Sequence, residues 1–272
     1  MIPLAVTTAL VAMCVACGGD DGDDGGPGGV MAVVPAMDAG VAPEPDADMM
    51  EGGPARLALS VEHVFGDAAL ALGTANVTAS GLPVQISGLR YWLSNVVLID
   101  AQGGQHAVPA AYYLIEQTAA HVRTTVTIED VPAATYTALQ FSVGVDAEHN
   151  HSLDVFEGEL STEVDMHWSW NSGFIFLKLE GTQGQPGNKG PFLAHVGSDP
   201  LFQTQIAQLG ALELAGGETG SVQLRVDLAS IFNTIDVSQN TRIVGGPAGS
   251  PADVVLSRFM AGISVPRAPP AR

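Results

Sequence analysis

From about Ala55 to the C-terminus the chain breaks into short runs of strand-forming residues, separated by Gly, Pro, Asp and Asn. The runs are Leu57 to Val64, Leu82 to Ile86, Tyr91 to Ile99, Ala111 to Ile115, Val122 to Ile128, Thr135 to Val145, Trp168 to Leu179 and Ser221 to Leu228. Runs this short suit strands, and no long window sustains the 3.6-residue period of an amphipathic helix. Gln203 to Leu209 and Leu228 to Asn233 read as short helices at most. The pattern predicts an all-β fold, an antiparallel β-sandwich formed as a single domain over residues 55–272. That length is enough for one sizeable core. There is no internal repeat, phosphate loop, dinucleotide fingerprint or nucleophile elbow.

The preceding segment has a different composition. Residues 18–54 are dominated by Gly, Pro, Ala, Asp and Met, with no aromatic residue. Such a stretch cannot bury enough apolar surface to offset chain entropy, so it reads as a disordered acidic tether. Its Asp and Glu residues supply nearly half of the formal net charge of -19. The acidity excludes nucleic acid and anionic membrane surfaces as favoured partners, and a basic partner or a cation fits better. Solubility or halophily accounts for the same bias. Ala5 to Ala16 is a small-apolar run too short to span a bilayer stably, so residues 1–17 read as a secretory leader. Cys14-Val15-Ala16-Cys17 resembles a bacterial lipoprotein processing box, making Cys17 the expected lipidated residue. The chain would then meet a membrane through its lipid anchor only, in the periplasm or on the outer-membrane surface.

Both Cys residues lie in that leader, so the mature domain has neither a disulfide nor a thiolate. A metal there must use His, carboxylate, Met or modified side chains. His63, His106, His121, His149, His151, His167 and His195 are available, with His106 and His121 in loop-like sequence. Two of the three Trp residues, Trp168 and Trp170, stand one apart beside His167 and Met166. In a strand that spacing puts both rings on one face, where core packing competes with a redox or metal role. A second pattern begins at Asp146: Asp146, Glu148, Asn150, Ser152, Asp154 and Glu157 fall at the oxygen-donor spacing of a calcium-wrapping loop. His151 occupies the position where such a loop needs Gly, and His149 and His151 offer a transition-metal pair instead.

Taken in order, several words resemble the MbnP-like proteins, secreted bacterial copper proteins associated with methanobactin operons and related to copper-repressible surface proteins of methanotrophs. They are Leu89 to Asn95, Tyr112 to Ile115, Val131-Pro132 with Tyr136, Phe141 to Asp146, Met166 to Phe174, Lys178 to Gly181 and Phe192 to Gly197. The resemblance implies a mononuclear copper site built from His imidazoles and a kynurenine made by oxidising a Trp. It also implies a partner, a MauG-like di-haem protein of the cytochrome c peroxidase family, that performs the oxidation. On this chain it points to His195 and His63 as ligands and to Trp168 or Trp170 as the modified residue; His167, beside the Trp pair, is a further candidate ligand. Cu(I) is soft and accepts two or three imidazole-type ligands, which suits a thiol-free secreted domain.

The leading expectation is therefore a copper-binding surface or periplasmic protein that is not itself an enzyme. A metal-free β-sandwich binding or adhesion module and a calcium-stabilised surface protein are the alternatives. A hydrolase ranks last, because Asp146, Asp165 and Glu180 form no acid/base constellation. His63 and His195 are expected to approach each other if they share an ion.

Overall fold

In the computed structural model, which describes residues 53–152, 156–168 and 173–266, the first predicted run becomes strand β1 (Ala55–Phe65). Its Ala55, Leu57, Leu59 and Val61 are buried while Arg56 and Glu62 are exposed, the period-two alternation of a strand with one face on a core. With strands numbered in chain order, β1 anchors the smaller sheet. Its neighbours there are β2 (Ala68–Ala69), β8 (Thr125–Val131) and β13 (Thr219–Asp227), and β15 (Ile263–Ser264) extends β13.

The larger sheet is built around the 18-residue β4 (Pro83–Asp100). It pairs with β3 (Ala75–Val77), β5 (Gln105–Ala107), β6 (Tyr112–Thr118), β9 (Ala134–Val143) and β10 (Leu177–Gln183). β7 (Val122–Arg123) extends β6, β12 (Gln203–Leu214) extends β9, and β11 (Gly190–Val196) with β14 (Arg242–Val244) extends β10. The short helices are α1 (Ala147–Asn150) and α2 (Ala229–Phe232), and α3 (Pro251–Ala261) is the longest among the described residues.

The two sheets share one core. Tyr91 of β4 meets Phe259 of α3 at 4.8 Å between ring centroids, and Phe65 of β1 and Phe192 of β11 both pack on Phe232 of α2. Fully burying a side chain of this kind contributes roughly 1.5–3 kcal/mol relative to exposure. No described helix is long and apolar enough to cross a membrane.

The expected all-β single domain is what forms, with three local departures. Most pairings are antiparallel, but β1 runs parallel to β13 and β11 parallel to β14, so the sheets are mixed. A parallel partner needs a long crossover, and here almost the entire larger sheet supplies it. Gln203 to Leu209 is strand rather than helix, because it pairs along β9 from Val143 onward and tertiary pairing overrides weak local preference. The run expected from Trp168 enters a strand only at Leu177. Before it, Asp165 (φ 54) and Gly173 (φ 132) turn the chain, and His167 opposes Phe174 in an isolated bridge. Cys17, the leader and the tether as far as residue 52, Asp154 and Trp170 lie outside the described residues.

Candidate metal centre

The larger sheet has an outer face, turned away from the smaller sheet. In β10, Leu177 and Leu179 point into the core while Lys178 and Glu180 point out. Across neighbouring strands His195, Lys178, Arg90, Glu116 and Arg123 stand in register. This row pins the segment 156–168 across the outer face. Arg123 pairs with Glu159, Arg90 donates to the Val164 carbonyl, and Lys178 Nζ reaches Asp165 Oδ2 at 2.8 Å. The hydrogen bond from Lys178 holds the Asp165 carboxyl below its ordinary range. His195 Nε2 lies 2.7 Å from Glu180 Oε1, and that bond first of all holds the Glu180 carboxyl down.

His167 sits on the segment so pinned, next to Trp168, which is only 7% exposed. Its Nδ1 is buried and, among the described residues, has no hydrogen-bond partner. A buried ring nitrogen is seldom left unmatched, since the lost hydration costs about 1–3 kcal/mol. Met166 is fully buried beside it, where its flexible side chain fills apolar space.

His63 is elsewhere. It faces the core between the sheets, with Nδ1 2.8 Å from Gln117 Oε1 and Nε2 3.2 Å from the Tyr91 hydroxyl. Burial depresses its pKa to about 4, and the bond to Gln117 only partly opposes this, so the ring is neutral near pH 7. Because Tyr91 and Leu177 are on the core side while His195 joins Lys178 and Glu180 on the outer side, the structure does not bring His63 and His195 together. Instead two pairs stand on the outer face, His195 with Glu180 and Lys178 with Asp165, which lies two residues before His167.

A second constellation lies at the end of β9. Gly144 turns the chain with φ 115, and a Cβ there would sit 2.5 Å from the Phe176 ring. Its carbonyl accepts from Ser94 Oγ at 2.7 Å and its N–H donates to Trp92 O at 3.0 Å, fixing where Asp146 emerges. Asp146 caps α1, accepting from the His149 N–H, and its carboxylate also meets His149 Nδ1 at 2.8 Å and the Tyr112 hydroxyl. Burial raises the Asp146 pKa, but the bonds from Tyr112 and His149 outweigh it and the net shift is downward. The bond to Asp146 raises the His149 pKa, and burial with the surrounding carboxylates raises that of Tyr112. One oxygen each of Asp146 and Glu148 and one nitrogen of His149 lie within 4.8 Å of one another.

Among the described residues the calcium-loop spacing does not close into one shell. Asn150 turns its amide to Asp199 Oδ1 at 2.7 Å and its carbonyl to the Phe174 N–H at 2.7 Å, away from Asp146. His151 likewise pairs with Asp199, so His149 and His151 have separate partners. Ser152 donates its N–H to the His149 carbonyl. The reason is local: a helical turn at 147–150 sends alternate side chains apart, where a wrapping loop would converge them.

The family model of MbnP matches residues 54–248. The chain belongs to the MbnP family. Among solved structures, MbnP from Methylosinus trichosporium is similar, with 18% identity and a TM-score of 0.47, covering 72% of this chain and 82% of that one. No curated protein matches.

In this MbnP-family chain, sequence reasoning did not single out Tyr112, Tyr91, Gln117 or Glu180 as partners of the histidines. Tyr112 and Asp146 are 34 residues apart and His63 and Gln117 54 apart, separations at which spacing carries no information. Glu180 was within reach, because it and Lys178 stand at the i, i+2 spacing that puts two side chains on one face of a strand.

Proposed function

We propose that this MbnP-family protein is a copper-binding protein of the periplasm or outer-membrane surface, tethered through lipidated Cys17, and not an enzyme. A MauG-like di-haem partner would convert Trp168 or Trp170 to kynurenine. His167 and that kynurenine would hold the ion, with His195 as the further imidazole. His63 is left as a core residue.

The observation that carries this reading is the buried, unpartnered Nδ1 of His167 beside Trp168. An imidazole nitrogen left without a hydrogen-bond partner can be satisfied by a soft cation, to which it offers its lone pair. Copper, when bound, supplies a Lewis-acidic and redox-active centre. The protein's part is to hold His167 through the Asp165–Lys178 pair and to keep His195 oriented through Glu180.

The burial of Trp168 and the separation of His63 from His195 favour a second reading, a metal-free binding module. One experiment separates the two. Native-host protein is assayed for copper, and the peptide spanning Met166 to Lys178 is sequenced by tandem mass spectrometry. Copper together with a Trp that has lost one carbon and gained one oxygen is the expected result. Metal-free protein with both Trp residues intact overturns it, as does a His167→Ala variant that folds and binds Cu(I) like the parent.

A further inference from the structure

His149 is held in the manner of a metal-ligating imidazole, by partners that it does not share with His167. Its Nδ1 is 2.8 Å from Asp146 Oδ1 and 2.7 Å from the Tyr112 hydroxyl, and Tyr112 is itself only 3% exposed. A carboxylate on one ring nitrogen fixes the tautomer and frees the lone pair of the other. That other nitrogen, Nε2, lies 3.5 Å from Glu157 Oε2. The separation is too long for a well-formed hydrogen bond. It matches the roughly 3.4 Å between two donors that each sit about 2.1 Å from one tetrahedral ion.

These groups line a pocket of about 600 Å³ whose walls are Asn95 to Val97, Ala107, Val108, Ala110 to Tyr112 and Gln140. Three carboxylates, Asp146, Glu148 and Glu157, open into it, and no Lys or Arg lines it among the described residues. Carboxylates on a low-dielectric wall with no fixed countercharge favour a cation. Calcium is a poor match, since it takes six to eight oxygens and not an imidazole, and Asn150 is turned away to Asp199.

We propose that His149, Glu148 and Asp146, whose donor atoms lie within 4.8 Å of one another, bind a borderline divalent transition metal of the Zn(II) or Cu(II) class at this pocket, with Tyr112 orienting Asp146 and Glu157 lying against His149 Nε2. The set is one nitrogen and several oxygens, which such ions accept. Asp146 also positions His149 through its Nδ1, and its free oxygen lone pairs are within reach of the same ion. The site shares no ligand with the one around His167, so either can exist without the other.

The test is calorimetric titration of the full chain with Zn(II), which is redox-inert, in the parent and in His149→Ala, Glu148→Gln and His167→Ala. The expected result is one Zn(II) equivalent, weakened about tenfold or more by His149→Ala and by Glu148→Gln, and unchanged by His167→Ala. Parent-like Zn(II) binding in folded His149→Ala overturns the proposal, and so does displacement of Zn(II) by equimolar calcium. Should His149→Ala fail to fold, Glu148→Gln decides alone, because Glu148 is exposed and its loss leaves the fold intact. Unchanged affinity in that variant overturns the site. A parent that takes up no Zn(II) overturns it as well, whatever copper does at His167.

Discussion

His63 and His149 each stand against a tyrosine, with ring centroids 5.8 Å from Tyr91 in one case and 5.2 Å from Tyr112 in the other. The residue types match and the consequences are opposite. Between the sheets, His63 meets only neutral groups, the Gln117 amide and a fully buried phenol, so burial governs and its pKa falls to about 4. At the pocket, Asp146 supplies a carboxylate at hydrogen-bond distance, and the His149 pKa rises. One carboxylate in contact thus decides whether a His–Tyr pair is a sealed packing element or a charge-bearing one.

The strongest way to break the comparison is to empty the sealed side. Tyr91→Ala removes a ring that packs on both His63 and Phe259, and about 3–5 kcal/mol of stability should be lost in urea unfolding. A loss under about 1 kcal/mol would mean that the core side is as yielding as the pocket side.

Acid titration of stability is next in size. Unfolded His63 takes up a proton near pH 6.5 and the folded residue does so only near 4, so the unfolded state binds more protons in between. Stability should therefore fall by about 3 kcal/mol as pH drops from 6.5 to 4, and His63→Leu should flatten that slope. His149 has the reverse sign. Its stabilisation is complete below its unfolded pKa and disappears as pH rises through the raised folded value. Asp146→Asn should remove this second dependence and leave the first; a shared response would show that the two histidines are not independent.

The smallest effect comes from removing single hydroxyls. Tyr91→Phe leaves His63 Nε2 sealed without a partner and should cost about 1–3 kcal/mol. Tyr112→Phe should cost less, since His149 keeps Asp146 and adjoins open pocket space. Equal losses would remove the contrast between the two sites.

The β class was legible because the runs at Leu57, Tyr91, Thr135 and Ser221 carry strand residues between breakers, and each begins within a strand. Two other features were not read. Ser250, Pro251 and Asp253 form an N-terminal cap for α3, but one helix of 11 residues is easily passed over in a β pattern. The run from Trp168 to Leu179 reads as one strand because it holds many β-formers, but the chain enters a strand only at Leu177, and the positive φ at Gly173 marks a break before it. At the sites, residue types were legible and partners were not. Nothing local told His63 that its neighbours would be neutral, since Tyr91 and Gln117 arrive from distant strands; for His149 the charged neighbour, Asp146, stands three residues away, and only Tyr112 comes from afar.

The parallel pairing of β1 with β13 has a bearing on how the chain reaches this state. Ser60 donates to the Val222 carbonyl across 162 residues of sequence, and the smaller sheet has β1 as its central strand. The first strand to leave the ribosome must then wait for almost the last one. Contacts of such separation slow the search for the native state, and the wait keeps the edge of β1 that β13 will cover open during synthesis. The domain should acquire its structure late and as a unit, with pulse-labelled fragments ending before Thr219 remaining protease-sensitive throughout.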